Sequence, residues 1–369
     1  MIQTVFILFC ILIVLTVCMY LSIYCGVCRA QTRDRKQNLI IGFLSNALAI
    51  RGTELNLWNY AHFSEKILGH KSIIISKPIS SFNTPDVTPE TYSFFTERFP
   101  VVHFTNSSDV QTIIKQHNID VLFVAKFGHP EDGLVKFDGC KTIIHAVFDT
   151  TRPHGDVFTS ISNWLVTFQN MKGKVAVLPN IVWVEDACGD LKEELGIPSD
   201  AYVFGCYGGA DSYKEEYVRQ VVSDCMRDDK FKKYYFIFMH IQEFGPQSDR
   251  LIFLPGSTDR KRKRKFIDTC DAMLYGRDNG ETFGIACGEF SLCGKPVIAR
   301  EDVRELAHVE LLGNCIIPHR DYESCRKILS DWPMMPCTTK TCRGEGYLQC
   351  TPEKVMSTFS DILMALQAV

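Results

Sequence analysis

The sequence has no surplus of charge of either sign: 40 basic residues stand against 43 acidic ones, a formal net charge of −3 over 369 residues. Without a basic field there is little to hold a polyanion, so nucleic acid is excluded as the expected partner. Heptads, repeats of solenoid period and low-complexity tracts are also missing, which excludes coiled coils and repeat arrays. Charged residues make up only 22% and hydrophobic ones 46%, the opposite of a composition that leaves a chain disordered. Cys337, Cys342 and Cys350 lack paired C-x2-C spacing and a nearby histidine, so no zinc centre is expected. The 16 cysteines look like a disulfide framework. Four of them (Cys10, Cys18, Cys25 and Cys28) instead lie in an apolar N-terminal stretch, and many others sit inside apolar runs, as reduced buried thiols do.

The run from Val5 to Val27 carries no charged side chain and, at ~1.5 Å per residue, is long enough for the ~30 Å hydrocarbon layer. Residues 1–28 are therefore expected to form a transmembrane anchor. No basic residue precedes the run, which argues against a cleaved signal peptide. Arg29, Arg33, Arg35 and Lys36 follow it, so 29–37 reads as a basic juxtamembrane segment. That asymmetry places the globular part in the cytosol. The alternative is a lumenal type II anchor, which the acceptor pattern Asn106-Ser107-Ser108 would suit.

Beyond residue 37, short apolar runs alternate with helix-like stretches. Leu39 to Leu44, Ser72 to Ser76, Val121 to Ala125 and Thr142 to Val147 read as buried strands, with a helix over Glu54 to Leu68. A charged helix candidate at Asp190 to Leu195 precedes a second series that opens at Tyr202 to Tyr207 and runs to Cys315 to Ile317. The expected class is α/β: two doubly wound Rossmann-like domains facing a cleft, at 38–182 and 183–353. A C-terminal helix over 354–369 would pack back on the first domain.

Chemistry concentrates between Asp271 and Ala299. A strand ending at Tyr275, a glycine-bearing loop and a helix opening near Thr282 predict free amides at Phe283, Gly284 and Ile285, an anion site. Glu281 would stand at its mouth and Glu289 about 12 Å further along the axis. That span suits a ligand with hydroxyls at both ends and phosphates between them, such as a sugar nucleotide.

The Glu281 to Glu289 pair, the Phe-Gly after the first glutamate and Gly294-Lys-Pro-Val-Ile298 after the second resemble the retaining GT-B glycosyltransferases with an E-x7-E motif. Arg51-Gly52-Thr53-Glu54 is similar to their glycine-rich loop, Ile143-Ile-His145 to their strand ending in a histidine, and Leu178-Pro179-Asn180 to their inter-domain junction. The resemblance implies that Glu281 holds donor sugar hydroxyls, Glu289 the ribose hydroxyls, and the amides of Thr282 to Ile285 the sugar or phosphate. It further implies that His145 contacts sugar or acceptor and that Gly52 lets backbone approach the diphosphate. The acceptor would be a glycan, lipid or protein, transfer would proceed with retention, and no metal or other cofactor is expected.

The chain departs from that pattern where relatives place a phosphate-gripping arginine, at Cys206, and the next basic residue is Lys214. Gly208 and Gly209 would then offer backbone amides, with Lys214 and Arg277 supplying charge. The run Asp259 to Lys265 reads as a solvated basic face or an anionic-lipid contact. The rival readings are a catalytically silent sugar-nucleotide-binding or scaffold protein, and an epimerase or phosphorylase of the same plan.

Overall fold

Two all-parallel sheets, each built of short strands with a helix or loop crossing between neighbours, make up the computed structural model, which describes residues 38–246, 248–336 and 343–368. The expected transmembrane anchor and the basic segment after it fall at 1–37, outside the described residues. Among the described residues no helix is long and apolar enough to cross a membrane.

The first sheet contains β1 (Ile40–Leu44), β2 (Lys71–Ser76), β3 (Val101–His103), β4 (Val121–Lys126), β5 (Lys141–Ala146), β6 (Val157–Ser160) and β7 (Ala176–Val177), in the order β3-β2-β1-β4-β5-β6-β7. Its central strands β1 and β4 are largely apolar because both faces are covered. Alternation along them assigns residues to faces: Ile41, Phe43, Val121 and Phe123 enter one core, whereas Leu44, Leu122, Val124 and Ile144 enter another. Helix α1 (Gly52–Leu68) covers the first of these faces, and α2 (Pro89–Thr96) and α3 (Ser107–His117) belong to the same lobe. Asn106, the first residue of the acceptor pattern, is the exposed N-cap of α3, and its N–H donates to Asp109 Oδ2 at 2.9 Å.

After α4 (Asn163–Phe168) and β7 the chain enters the second sheet: β8 (Tyr202–Tyr207), β9 (Tyr234–Met239), β10 (Leu251–Leu254), β11 (Ala272–Leu274), β13 (Val297–Arg300) and β15 (Ile316–His319), in the order β10-β9-β8-β11-β13-β15, with α5 (Glu216–Arg227) crossing between β8 and β9. Strand pairs β1/β4 and β8/β11 sit where each winding reverses direction. Such switch points open a crevice beyond the carboxyl ends of the strands. Two further strands, β12 (Gly280–Glu281) and β14 (Glu305–Leu306), form a separate parallel pair.

The last helix, Pro352–Gln367, carries Val355, Met356, Phe359 and Leu363 into the core of the first lobe, where the Phe359 ring lies 5.5 Å from Tyr60 and 5.7 Å from Phe123. Its residues recur at helical spacing, so one face is committed to that contact. The stretch Asp190 to Leu195 is not a helix. It holds a single turn, Leu195 N to Leu191 O at 2.9 Å, bounded by Gly189 and Gly196 in the left-handed region, which break helical propagation on both sides. The expected pattern of reduced thiols holds at nine described cysteines but not at Cys315, which is disulfide-bonded.

Candidate functional site

A cleft of about 430 Å³ lies between the lobes at the two switch points. One wall comes from the loop after β1 and the start of α1, with Arg51, Gly52 and Thr53, backed by Asn56, Asn59 and Asn180. The opposite wall comes from the loops after β8 and β11 and from α7 (Ile285–Leu292).

Glu281 lines this wall in a three-way contact. Tyr275 donates its hydroxyl to Glu281 Oε1 at 2.6 Å, and Arg277 Nη1 lies 3.1 Å from each carboxylate oxygen. Arg277 thus faces the cleft but is held by Glu281, whose charge raises the guanidinium pKa further. Glu289 is nearly inaccessible, at 4% exposure, yet lines the deeper end of the same cleft. It accepts the Tyr207 hydroxyl and the Lys263 ammonium, the latter at 3.2 and 3.3 Å. Burial first, then the Glu289 charge, pushes the Tyr207 phenol well up, so it stays a donor.

The helix after Glu281 starts later than expected. Thr282 is not its N-cap; Gly284 is, at φ 81°, and the helical residues begin at Ile285. The cause is tertiary. Gly280 and Glu281 are drawn into the β12–β14 pair, the Thr282 carbonyl accepts Ser162 Oγ from the first lobe at 2.7 Å, and the carbonyls of Phe283 and Gly284 accept the Tyr347 hydroxyl at 2.7 and 2.8 Å. A Cβ at position 284 would also come within 2.9 Å of His308 Cβ, so glycine is required both by conformation and by space. The first-turn amides without an intrahelical acceptor are therefore those of Ile285 to Cys287, of which Ile285 and Ala286 line the cleft while Cys287 is buried, and Thr282 and buried Phe283 also line the cleft wall.

His145 does not reach the cleft. It is 1% exposed, with Nε2 3.3 Å from Asn180 Oδ1 and Nδ1 3.2 Å from Thr159 Oγ1, against the rings of Tyr60 and Phe123. Strand alternation turns it toward α1 and away from the ligand space. The polar group presented there is Asn180, which accepts Asn56 Nδ2 at 2.7 Å. Burial lowers the His145 pKa to about 4, leaving the ring neutral.

Gly52 is the first residue of α1 and faces the cleft, but a Cβ there would meet only Ile285 Cδ1, at 3.5 Å, so no protein contact demands glycine. Gly208 and Gly209 line the opposite side, and Lys214 stands at the rim, 54% exposed, with Nζ 3.9 Å from Asp211. Cys206 is a buried thiol within β8, 3% exposed, and its pKa is raised by desolvation.

The basic run after Asp259 is not a solvated face. It forms α6 (Arg260–Thr269), and 3.6-residue periodicity sends Arg260, Lys263 and Arg264 inward together. Arg260 stacks 4.5 Å from both Trp58 and Trp183 and donates to Asn59 Oδ1 at 2.7 Å, bridging the lobes. Arg260→Ala is expected to lower unfolding stability by about 2–4 kcal/mol through the lost cation–π and charged hydrogen-bond contacts. Urea titration of the variant measures this, and a change below about 0.5 kcal/mol, the range of ordinary surface substitutions, would refute it.

Tyr207, Lys263, Tyr275, Asn56 and Arg51 were not assigned to the site from sequence. Lys263 was detectable, since Arg260, Lys263 and Arg264 share one helical face; the tyrosines end apolar strands and carry no pattern that separates them from core.

No family model matches the chain, and no curated protein matches it. Solved structures do. A glycosyltransferase from Rickettsia africae superposes with TM-score 0.63 at 13% identity, over 89% of this chain and 98% of the other. HepE of Anabaena in complex with UDP-glucose gives TM-score 0.65 at 15% identity, over 89% and 100%. A protein described as a UDP-N-acetylglucosamine 2-epimerase from Listeria monocytogenes gives 0.57 at 11%, over 88% and 96%. The fold is GT-B. At these identities the likeness is one of architecture, and the GT-B plan accommodates both transferases and epimerases, so the side chains of the cleft must decide the chemistry.

Proposed function

We propose that this chain is a membrane-anchored glycosyltransferase that takes a sugar from a nucleotide-sugar donor, a UDP-sugar, and transfers it with retention to an acceptor entering from the first lobe. One observation carries this reading: Glu281, in β12 before α7, and Glu289, within α7, both face a single inter-lobe cleft, each ringed by donors. Glu281 would orient sugar hydroxyls, with Arg277 and Tyr275 holding its carboxylate in place, and Glu289 would take the ribose. The amides of Ile285 and Ala286 and of Gly208 and Gly209 would face the phosphates. Positive preorganisation around the leaving diphosphate would then do most of the catalytic work. HepE, with UDP-glucose bound to the same fold, supports the donor class.

A second reading, a silent sugar-nucleotide-binding protein, is favoured by the buried thiol at Cys206, the position where the resemblance implies a phosphate-gripping arginine. A thermal-shift panel of sugar nucleotides on the full chain separates the outcomes. A cognate donor at 100-fold its dissociation constant should add about 2.7 kcal/mol of apparent stability. Release of free UDP from that donor supports transfer chemistry; stabilisation without turnover or transfer to any acceptor supports the silent reading. No stabilisation by any sugar nucleotide would refute both.

A further inference from the structure

The loop after β8 places a carboxylate between two cations at the cleft rim. Asp211, 59% exposed, accepts Arg51 Nη2 at 3.1 Å through Oδ1, and its Oδ2 lies 3.9 Å from Lys214 Nζ. Arg51 belongs to the first lobe; Asp211 and Lys214 belong to the second. Behind Arg51 stands Asp86, only 5% exposed, whose Oδ2 accepts both Arg51 Nε at 2.6 Å and Nη2 at 2.5 Å and whose Oδ1 contacts His240 Nε2 at 2.8 Å. Asp86 therefore fixes the guanidinium, and Nη2 is shared between this buried carboxylate and Asp211 across the cleft.

Gly209 lies beside it: a Cβ at that position would be in ordinary contact, 3.6 Å, with the Arg51 guanidinium carbon. Arg51, Gly209, Asp211 and Lys214 all line the cleft. The first lobe thus delivers a fixed cation to the strand-end loop of the second lobe, where Cys206 is buried and Lys214 stands at the rim.

A carboxylate shared by an arginine and a lysine has the acceptor chemistry of a phosphate oxygen. Both side chains of the Arg51–Asp211 pair are about half exposed, 48% and 59%, and such pairs are worth only about 0–1 kcal/mol, so this one yields readily to a competing anion. A diphosphate brings more charge and more acceptor oxygens, and Arg51 can meet it in a planar, bidentate fashion.

We propose that Asp211 is an internal stand-in for the donor diphosphate: ligand binding displaces it, and Arg51 and Lys214 close on the diphosphate from opposite lobes. This rests on the nucleotide-sugar reading above and adds to it which groups grip the phosphates and what occupies their place beforehand.

Calorimetry on the full chain tests it, with UDP, inorganic pyrophosphate and uridine as probes. Asp211→Asn should bind UDP and pyrophosphate about two- to fivefold tighter, the range set by loss of an exposed competing pair, and uridine unchanged. Lys214→Gln should bind UDP about two- to fivefold more weakly, and the gain from Asp211→Asn should shrink in the Lys214→Gln background. A merely structural bridge predicts the reverse, weaker or equal binding in Asp211→Asn. UDP binding to the wild type with no gain in Asp211→Asn overturns this inference and leaves the donor reading standing. Absence of UDP and pyrophosphate binding in both proteins removes the two together.

Discussion

Glu281→Gln is expected to keep the fold and lose donor turnover by about 10²–10³-fold, the effect of removing one preorganised group at a reacting centre. The carboxylate is the single acceptor shared by Tyr275 and Arg277. As a neutral amide it accepts more weakly and presents an N–H where a sugar hydroxyl would donate. Arg277 is 31% exposed and can regain water, so the loss should appear in kcat and not in folding. Tyr275→Phe removes one hydrogen bond to Glu281 and should cost much less, about tenfold. Steady-state release of UDP measures both. Near-wild-type turnover in Glu281→Gln would end the assignment of a role at the donor sugar.

A steep loss of stability on acidification is the second large effect expected. His145, His308 and His319 are each at most 1% exposed, and burial lowers each pKa to about 4. For His308 the nearby Arg277 adds to the effect, and for His319 Arg300 does. An unfolded chain binds protons at these groups near pH 6.5, whereas the folded chain refuses them until about pH 4. The stabilisation from keeping them neutral is therefore complete above about pH 6.5 and falls away as pH drops toward 4. Each group contributes about 1.4 kcal/mol per pH unit within that window, and three together about 4 kcal/mol per unit. That is enough to exhaust a typical margin of about 5–15 kcal/mol within a few units. Urea unfolding between pH 7.5 and 4.5 reads the slope directly. His308→Leu should reduce it by about a third, because neither ring nitrogen of His308 has a hydrogen-bond partner among the described residues. A stability curve flat from pH 6.5 to 5 would show that the histidines are accessible in the folded state.

The parts of the fold legible in sequence are those set by local pattern. The strand of residues 202–207 stands where periodicity puts it, and the helix expected over 54–68 runs from 52 to 68, because apolar alternation and helical spacing depend on near neighbours. Asp190 to Leu195 misled for the same reason: its charges and leucines suit a helix, but two flanking glycines in the left-handed region leave room for one turn only. The start of α7 was misplaced because the groups that delay it, Ser162, Tyr347 and β14, are distant in the chain. His145 shows the same limit. A strand-end histidine looks like a ligand in sequence, and only the packing of α1 against the sheet turns it inward.

The sequence by itself determined two doubly wound lobes, which follow from alternation and glycine placement, and the short spacing that brings Glu281 and Glu289 to one cleft wall. The tertiary structure alone decided which charges meet. Arg277 faces Glu281, Lys263 faces Glu289, and Arg51 crosses from the other lobe to Asp211. Coulomb and hydrogen-bond energies depend on distances of a few ångströms through space, and separation along the chain does not encode them.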